Sequence, residues 1–305
     1  MHFLEALNLK RAASEMLFKL IKQFSSNFEV EKLCTTLSVS RSGYYRWLKN
    51  PFSNKKEIQE KVLQQIKDVY EQSKGVFGSP RITAVLRNKG YDYNRKRIAK
   101  IMKDNNIRSK MKSKFKITTN SKHKYPICEN LLQRNFSPSS ENQIWCSDIT
   151  YVRTDEGWLF LAVVIDLFSR KVVGWAMSKR MKTELVAKAF KMAWQHRGQP
   201  KGLIFHSDRG SQYASNKFKK LLKNCKVRQS MSRAGDCWDN ACAESFFASL
   251  KKEEIYQKRY LSRIEAKRCI FEYIELFYNS FRPHSYCGGL SPNQLESKIS
   301  YRKSA

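Results

Sequence analysis

Residues 144–151 read IWCSDITY, an apolar run that contains a single carboxylate, Asp148. The run continues to Thr154 with the β-branched and aromatic residues that favour a strand. In a chain with 58 Lys and Arg against 27 Asp and Glu, an aspartate in such a run is unexpected unless a cation meets it. The stretch therefore predicts a strand that carries a functional acid.

Further strands and helices follow this stretch in a definite order. The other predicted strands lie at 158–166, 171–177, 202–206 and 227–231, with a hairpin at 169–170. Apolar residues at helical spacing predict helices at 183–196, 215–224 and 241–256. Three antiparallel strands, then helix, strand, helix, strand and helix, predict an α/β fold. It is a ribonuclease-H-like mixed five-stranded sheet with helices on both faces.

Two more acids fall where this fold would bring them towards Asp148. Asp208 lies in FHSDRG (205–210), just past the fourth strand, and Glu244 lies in NACAESFF (240–247), on the following helix. Thirty-five residues separate them. Two hard cations held by shared carboxylates can stabilise both the attacking and the leaving oxygen of an in-line phosphodiester displacement. The three acids therefore indicate metal-dependent phosphoryl chemistry on nucleic acid.

Composition supports a nucleic-acid partner. The 305 residues carry a formal charge of +31, which favours a polyanion, and the 41% hydrophobic content suffices for two or three domains. The eight cysteines show no CxxC pair, so we expect reduced thiols. There is no secretory-signal pattern at the start and no apolar run of membrane-spanning length. We therefore expect a cytoplasmic protein without a membrane partner.

Residues 1–51 are predicted to form a helix-turn-helix. An apolar stripe within 11–24 and a short helix from Val30 to Leu37 precede Ser40, which is placed as an N-cap. The basic, aromatic helix that follows carries Arg41 and Arg46, which we expect to contact DNA in a major groove. The alternative is an ordinary helical hairpin with a solvated basic face.

Residues 52–117 are predicted to form a second helix-turn-helix-like DNA-binding unit. Ser79 is placed as a cap, with Pro80 at the first helical position. Between Arg95 and Lys116 there are ten Lys or Arg and one acid, Asp104, which indicates a phosphate-contacting surface. The predicted DNA contacts in the helix are Arg95, Lys96, Arg97 and Lys100. A basic linker (118–140), a catalytic core (141–258) and a C-terminal helical extension (259–305) complete the predicted organisation.

Several motifs together are specific enough to indicate a family. They are FGSPRI (77–82), WCSDITY (145–151), VIDLFSR (164–170), HSDRGSQY (206–213), GDCWDNACAESFF (235–247) and YNSFRPHS (278–285). With these motifs the chain resembles bacterial insertion-sequence transposases of the retroviral integrase (DDE) superfamily. It is most similar to the second-reading-frame (OrfB) type of the copy-out–paste-in family. Cys287 departs from the pattern, which usually has a larger apolar residue there.

The resemblance implies a DNA transposase that cleaves insertion-element ends and joins them to target DNA. It implies that Asp148, Asp208 and Glu244 bind two Mg²⁺ ions, with Mn²⁺ as a substitute, and that water and then a 3′-hydroxyl attack directly. The implied partners are the terminal inverted repeats, target DNA, further copies of the chain on DNA, and a first-reading-frame (OrfA) protein or fusion. The implied location is the bacterial nucleoid.

Other polar residues near the three acids are weaker candidates. Lys251 lies two helical turns after Glu244 and is predicted to contact terminal DNA, although it could be an ordinary exposed lysine. His206 and Asn240 are predicted to shape the site. Asp166 ends a buried strand and is expected to cap the following turn rather than bind metal. Asp236 and Asp239 are reserve acids, and His284 is either a DNA contact or a turn cap.

Two alternative functions follow from the same features. One is a DNA-binding regulator whose nuclease fold has lost activity, but the acidic triad is intact. The other is a nuclease for RNA–DNA hybrids, but two helix-turn-helix units favour duplex DNA with defined end sequences.

Overall fold

The computed structural model describes residue 14 and residues 16–49, 55–110, 128–131, 138–232 and 241–304. The chain divides into two compact units, Met1–Gln65 and Ile66–Ala305. In the described part, no helix is both long and apolar enough to cross a membrane. The cysteines described there are free thiols.

The first unit contains the predicted helix-turn-helix. Its helices are α1 (residues 16–24), α2 (Val30–Thr36) and α3 (Arg41–Lys49), followed by the start of α4 (Lys55–Gln72). Ile21, Cys34 and Tyr44 are buried together at its centre. The Ser40 hydroxyl accepts a hydrogen bond from the Gly43 N–H at 3.2 Å, which confirms the predicted cap.

The second unit begins within α4 and continues through α5 (Ser79–Asn88) and α6 (Arg95–Asp104). Ile82 and Leu86 of α5 and Ile98 of α6 are buried because they recur at helical spacing on one side. The predicted cap of α5 was wrong by one residue. Gly78 is the N-cap, and Ser79 is already helical, which places the following proline within the first turn.

A mixed five-stranded sheet forms the centre of the second unit, in the order β3-β2-β1-β4-β5. The strands are β1 (Ile144–Thr154), β2 (Gly157–Asp166), β3 (Val172–Ser178), β4 (Ile204–Ser207) and β5 (Arg228–Met231). Strands β1 to β3 are antiparallel, whereas β4 is parallel to both β1 and β5. This topology confirms the predicted ribonuclease-H-like fold.

Alternate residues of β1 and β2 face two hydrophobic cores, as the two-residue period of a strand requires. Trp145 and Val164 face the core under α7 (Thr183–His196), α8 (Ser211–Ala214) and α9 (Asn216–Asn224). Cys146 and Val163 face the core under α10 (Ala241–Glu253) and α11 (Arg263–Glu272). A Cβ on Gly174 would lie 2.4 Å from the Ala189 carbonyl oxygen, so glycine permits the close approach of α7 to β3.

The residues that follow α10, as far as Tyr278, contribute to the second of these cores. A 3₁₀ turn (Ile255–Gln257) follows α10, a π-helix (Tyr273–Tyr278) continues α11, and α12 (Pro292–Ser304) ends the described chain. The Asn279 side chain accepts a hydrogen bond from the Val172 N–H and donates one to the Val172 carbonyl, both at 3.0 Å. This side chain therefore anchors the C-terminal segment to β3.

Candidate active site

Asp148 and Asp208 lie side by side because two parallel strands place them there. The β1–β4 pairing ends at Ser147 opposite Ser207, and each aspartate is the next residue. Both aspartates are only partly buried. The structure therefore brings together the two strand carboxylates that the sequence predicts.

Local hydrogen bonds orient the two carboxylates. Oδ1 of Asp148 accepts from the Ile149 N–H at 2.7 Å, and Oδ1 of Asp208 accepts from the Gly210 N–H at 2.9 Å. A Cβ on Gly210 would lie 3.0 Å from that Asp208 oxygen, so glycine leaves room for the carboxylate. These hydrogen bonds fix one oxygen of each aspartate relative to the local backbone.

Glu244 is the third acid, on the helix that covers this part of the sheet. It lies on the first turn of α10, which packs against β1, and its side chain is exposed. Burial, then the neighbouring charge of Asp208 and more weakly that of Glu244, raise the pKa of Asp148 well above its ordinary value. Partial burial also raises the pKa of Glu244. The three carboxylates therefore repel one another, most strongly between the two aspartates.

The three acids do not form a closed ligand set as they stand. Within the described ranges, no group of three His, Cys, Asp or Glu side chains is close enough together to hold a metal ion. The two aspartates supply adjacent oxygen donors, and Glu244 on α10 lies near enough for its charge to act on Asp148. Carboxylate oxygens are the donors that Mg²⁺ prefers, so the chemistry of the set fits a hard divalent cation.

Lys251 lies beside these acids, as its position two turns after Glu244 predicts. Its Nζ is 5.5 Å from the ring centroid of Tyr151, three residues beyond Asp148 on β1. The positive charge of Lys251 also opposes the rise in the pKa of Asp148. Tyr151 in turn packs edge-to-face on Trp158, with the ring centroids 5.1 Å apart. Lys251 is therefore a cation at the edge of the acidic cluster.

A buried layer lies beneath the acidic cluster and contains no evident nucleophile. The Ser147 hydroxyl donates to the Val163 carbonyl at 2.7 Å and lies 2.9 Å from the Tyr213 hydroxyl. Both side chains are buried, and burial raises the pKa of Tyr213 well above its ordinary value. Neither hydroxyl is activated for attack. The Ser147 hydroxyl bonds to a carbonyl, and the two hydroxyls bond to each other, so no general base in the described part of the chain accepts a proton from them.

The structure separates the other polar candidates. His206 is fully buried, with Nδ1 2.9 Å from the Ser230 hydroxyl, so any influence on the acids passes through the packing of β4 on β5. Asp166 is also fully buried. It accepts hydrogen bonds from the backbone N–H groups of Asn142 and Phe168 and pairs with Arg197 at 3.1 Å. This turn-capping role agrees with the prediction. Asn240, Asp236 and Asp239 lie outside the described residues.

The predicted DNA contacts are on exposed surfaces. The side chains of Arg95, Lys96, Arg97 and Lys100 on α6 and of Arg41 and Arg46 on α3 are all exposed. The Arg97 guanidinium lies over the Tyr93 ring, 5.5 Å from its centroid. Arg41 pairs with Glu31 at 3.0 Å, a surface ion pair that a phosphate would have to displace.

The sequence reasoning missed a buried ion network at the C-terminal end of α10. The Glu253 carboxylate is only 1% exposed and accepts hydrogen bonds from Arg282 at 2.8 Å, Arg81 at 2.8 Å and the Tyr273 hydroxyl at 2.9 Å. Burial acts to raise the pKa of Glu253, but the two arginines outweigh it and hold that pKa below its ordinary value. The only sequence signal was an acid close behind Lys251 on a helix face that is otherwise apolar.

Family profiles match both the helical region before the sheet and the sheet region itself. Integrase core domain profiles match residues 138–237 and 225–292, and an HTH-like domain profile matches residues 57–115. Among solved structures, the HTLV-2 integrase catalytic core domain in complex with magnesium (dimeric form) is 19% identical. The match covers 51% of this chain and 96% of that chain, with a TM-score of 0.41. A simian T-cell lymphotropic virus intasome gives 20% identity, coverage of 57% and 60%, and a TM-score of 0.44.

The sheet order and the integrase core matches place the protein among DDE-type DNA transposases and integrases. The transposase InsF for insertion sequence IS3A of Escherichia coli (strain K12) is 43% identical over 285 residues, 93% of this chain and 99% of that protein. The insertion element IS600 uncharacterized 31 kDa protein of Shigella sonnei is 41% identical over 87% of this chain and 98% of that protein. The chain belongs to the IS3 family of insertion-sequence transposases.

Proposed function

We propose that Asp148, Asp208 and Glu244 bind divalent metal ions and catalyse cleavage at the ends of an insertion element and joining of those ends to target DNA. The observation that carries the proposal is the cluster of mutually repelling carboxylates in a chain of charge +31. Such a cluster is unfavourable by itself and becomes favourable when cations are shared between its oxygens. Mg²⁺ is the expected ion, two per site, with Mn²⁺ as a substitute.

The chain itself would hold and orient the reactants. Bound divalent ions would supply stabilisation of the charge that develops on the phosphodiester and a lower pKa for the attacking hydroxyl or water. The two aspartates are preoriented by their backbone hydrogen bonds, and α10 contributes Glu244 and Lys251. As the resemblance to the family implies, water and then a 3′-hydroxyl would attack phosphorus directly, without a covalent protein–DNA intermediate. The buried Ser147 and Tyr213 hydroxyls, which have no activating base among the described residues, agree with that reaction.

DNA binding is assigned to the basic surfaces outside the acidic cluster. The exposed cations of α6 (Arg95, Lys96, Arg97 and Lys100) are suited to phosphate contacts that set the register of the element end. Arg46 and, after release from Glu31, Arg41 would add contacts from α3. The proposed partners are the terminal inverted repeats and target DNA, other copies of the chain on DNA, and a first-reading-frame (OrfA) protein or fusion. The proposed location is therefore the bacterial nucleoid.

We expect chelation to abolish catalysis and to spare DNA binding. The full-length protein and a duplex carrying a terminal inverted repeat are incubated in Mg²⁺, in EDTA, and in EDTA followed by excess Mn²⁺. Nicking and joining should disappear in EDTA and return with Mn²⁺, because the ions act on the reacting phosphate. Gel-shift affinity at matched ionic strength is the control, since it depends on basic residues. Full cleavage in EDTA would refute the metal assignment.

Lys251→Ala is expected to lower strand joining by up to about a hundredfold and to change DNA affinity little. The reason is that Lys251 sits beside the acids, where a small misplacement of the reacting end costs rate heavily. Lys251→Arg should retain much of the activity, because charge rather than a fixed fork geometry is needed here. The measurement is end joining beside a binding titration on the same variants.

Lys252→Ala is the matched control, since Lys252 is the next residue on α10 and points about 100° further round the helix. Its joining rate should stay near that of the unmodified protein. Equal losses of joining in the two alanine variants, or equal losses of joining and binding in Lys251→Ala, would show that Lys251 is one of many surface contacts.

A further inference from the structure

Two adjoining cavities lie beside α10, separate from the acidic cluster. The first, of about 450 Å³, is lined by Arg81 of α5 and by Arg282. The second, of about 300 Å³, is lined by Arg170 and Tyr286. The two cavities share four lining residues: Ser245, Tyr278, His284 and Ser285. We refer to the pair as the arginine cavity.

The walls of the arginine cavity are positively charged. Three arginines line it, and none of its described lining residues is an Asp or Glu. Behind this wall a single carboxylate, that of Glu253, pairs with both Arg81 and Arg282. Exposed serine hydroxyls at 245 and 285 add hydrogen-bond donors. Charge and donors together suit an anion with several acceptor oxygens.

The pKa of His284 is lowered by burial and by this positive environment. Burial, followed by the charges of Arg282, Arg81 and Arg170, lowers the pKa of His284 to about 3, so its ring is neutral. Arg282 has only donors, and its Nη1 lies 3.2 Å from Nε2 of His284. Nε2 is therefore the acceptor, and the proton is on Nδ1, which leaves a further N–H donor on a residue that lines both cavities.

The cavity shares α10 with the acidic cluster, although none of the three acids lines it. Ala241, Cys242 and Ser245 of α10 line the second cavity, and Ser245 directly follows Glu244. Arg170 is held at the mouth by a stack on Tyr286, with its guanidinium carbon 3.9 Å from the ring centroid. Arg81 of α5, which belongs to the helix-turn-helix-like unit, lines the first cavity. The cavity is therefore lined both by α5 and by the helix that carries Glu244.

We propose that the arginine cavity binds a backbone phosphodiester of the DNA strand whose reacting phosphate lies at Asp148, Asp208 and Glu244. The proposal rests on the function proposed for those acids and adds a second anchor point for the same strand. Guanidinium groups hydrogen-bond phosphate oxygens in a fixed geometry. Such contacts set the register of the DNA but do not depend on its base sequence. Arg170 is thus a positioning residue for end cleavage.

Phosphate ethylation interference on the full-length protein tests this proposal. Terminal DNA with one ethylated phosphate per strand is selected for binding in Ca²⁺, so the result does not depend on cleavage. Arg170→Gln should lose interference at one phosphate near the cleavage position and lower the log–log salt slope of binding by about 0.9. Arg170→Lys should keep the interference. Arg268→Gln, which removes an exposed arginine on α11, is the matched control and should leave the interference pattern unchanged.

A second variant pair protects the test against a folding defect. Ser285 is exposed at the cavity, so Ser285→Asp should weaken end binding, whereas Ser285→Asn should not. An interference pattern and salt slope in Arg170→Gln equal to those of the unmodified protein would overturn the proposal. A free-anion site would also overturn it: inorganic phosphate would then raise the melting temperature in an Arg170-dependent way, with the DNA interference unchanged. If cleavage continued after chelation or in the triad variants, the proposed catalytic site would be wrong. That result would leave the phosphate contact at the arginine cavity to be judged by the interference experiment.

Discussion

Asp148→Asn, Asp208→Asn and Glu244→Gln are each expected to abolish end cleavage and joining while DNA binding survives. Each amide keeps the size of the side chain but removes a charge that the metal ions need. The loss should be on the order of a thousandfold or more, since metal ions contribute several kcal/mol to the stabilisation of the transition state. The measurements are Mg²⁺-dependent nicking and joining of terminal DNA, with gel-shift affinity on the same preparations.

The melting temperatures of these variants distinguish a metal-binding acid from an acid that stabilises the fold. Because burial and the neighbouring carboxylates disfavour the charged form of Asp148, Asp148→Asn should unfold at the same temperature or a higher one. Glu184→Gln is the matched control, since it neutralises an exposed acid of the same unit that pairs with Lys217 at the surface. Nicking at the unmodified rate by any one triad amide would remove that residue from the ligand set.

The second large effect is expected at Glu253. Glu253→Gln leaves the guanidinium of Arg282, itself 6% exposed, buried beside Arg81 without its counter-charge. Breaking one side of a buried ion pair in this way costs about 3–5 kcal/mol. The melting temperature should therefore fall on the order of 10 °C. Thermal unfolding followed by circular dichroism is the measurement.

A double-mutant cycle separates the ion pair from general packing. If the penalty is the uncompensated charge, Glu253→Gln combined with Arg282→Met should be less destabilising than the sum of the two single changes. Glu184→Gln should change the melting temperature little, because its partner Lys217 is at the surface and solvent screens the pair. Additive losses in the cycle, or a melting temperature of Glu253→Gln equal to that of the unmodified protein, would contradict the network's proposed role.

The order of strands and helices could be predicted because each depends on the spacing of nearby apolar residues. The strand containing IWCSDITY runs from Ile144 to Thr154 and the helix after β3 from Thr183 to His196, both as predicted. The fourth strand was predicted at 202–206 and lies at Ile204–Ser207. Strand ends shift in this way because hydrogen bonding to neighbouring strands, rather than local preference, decides where pairing stops.

Part of the candidate site was also predictable. An acid directly past a short apolar strand lies at the end of that strand, and parallel neighbours present their ends at the same edge. Asp148 and Asp208 are adjacent for this reason. The predicted roles of the site residues and the predicted domain boundaries remain predictions. The compact unit Ile66–Ala305 contains both α5 and the C-terminal segment.

The sequence by itself determined the fold class, the cap at Ser40 and the placement of Asp148 and Asp208, because all of these follow from local patterns. Asp148 and Asp166 lie in similar apolar strands, and only the tertiary structure shows which charges surround each of them. Asp166 meets Arg197, 31 residues away, whereas Asp148 meets other carboxylates. The same holds for Glu253, whose partner Arg81 is 172 residues distant. The free energy of a buried charge depends on which groups surround it in space, and that is decided by packing between distant segments.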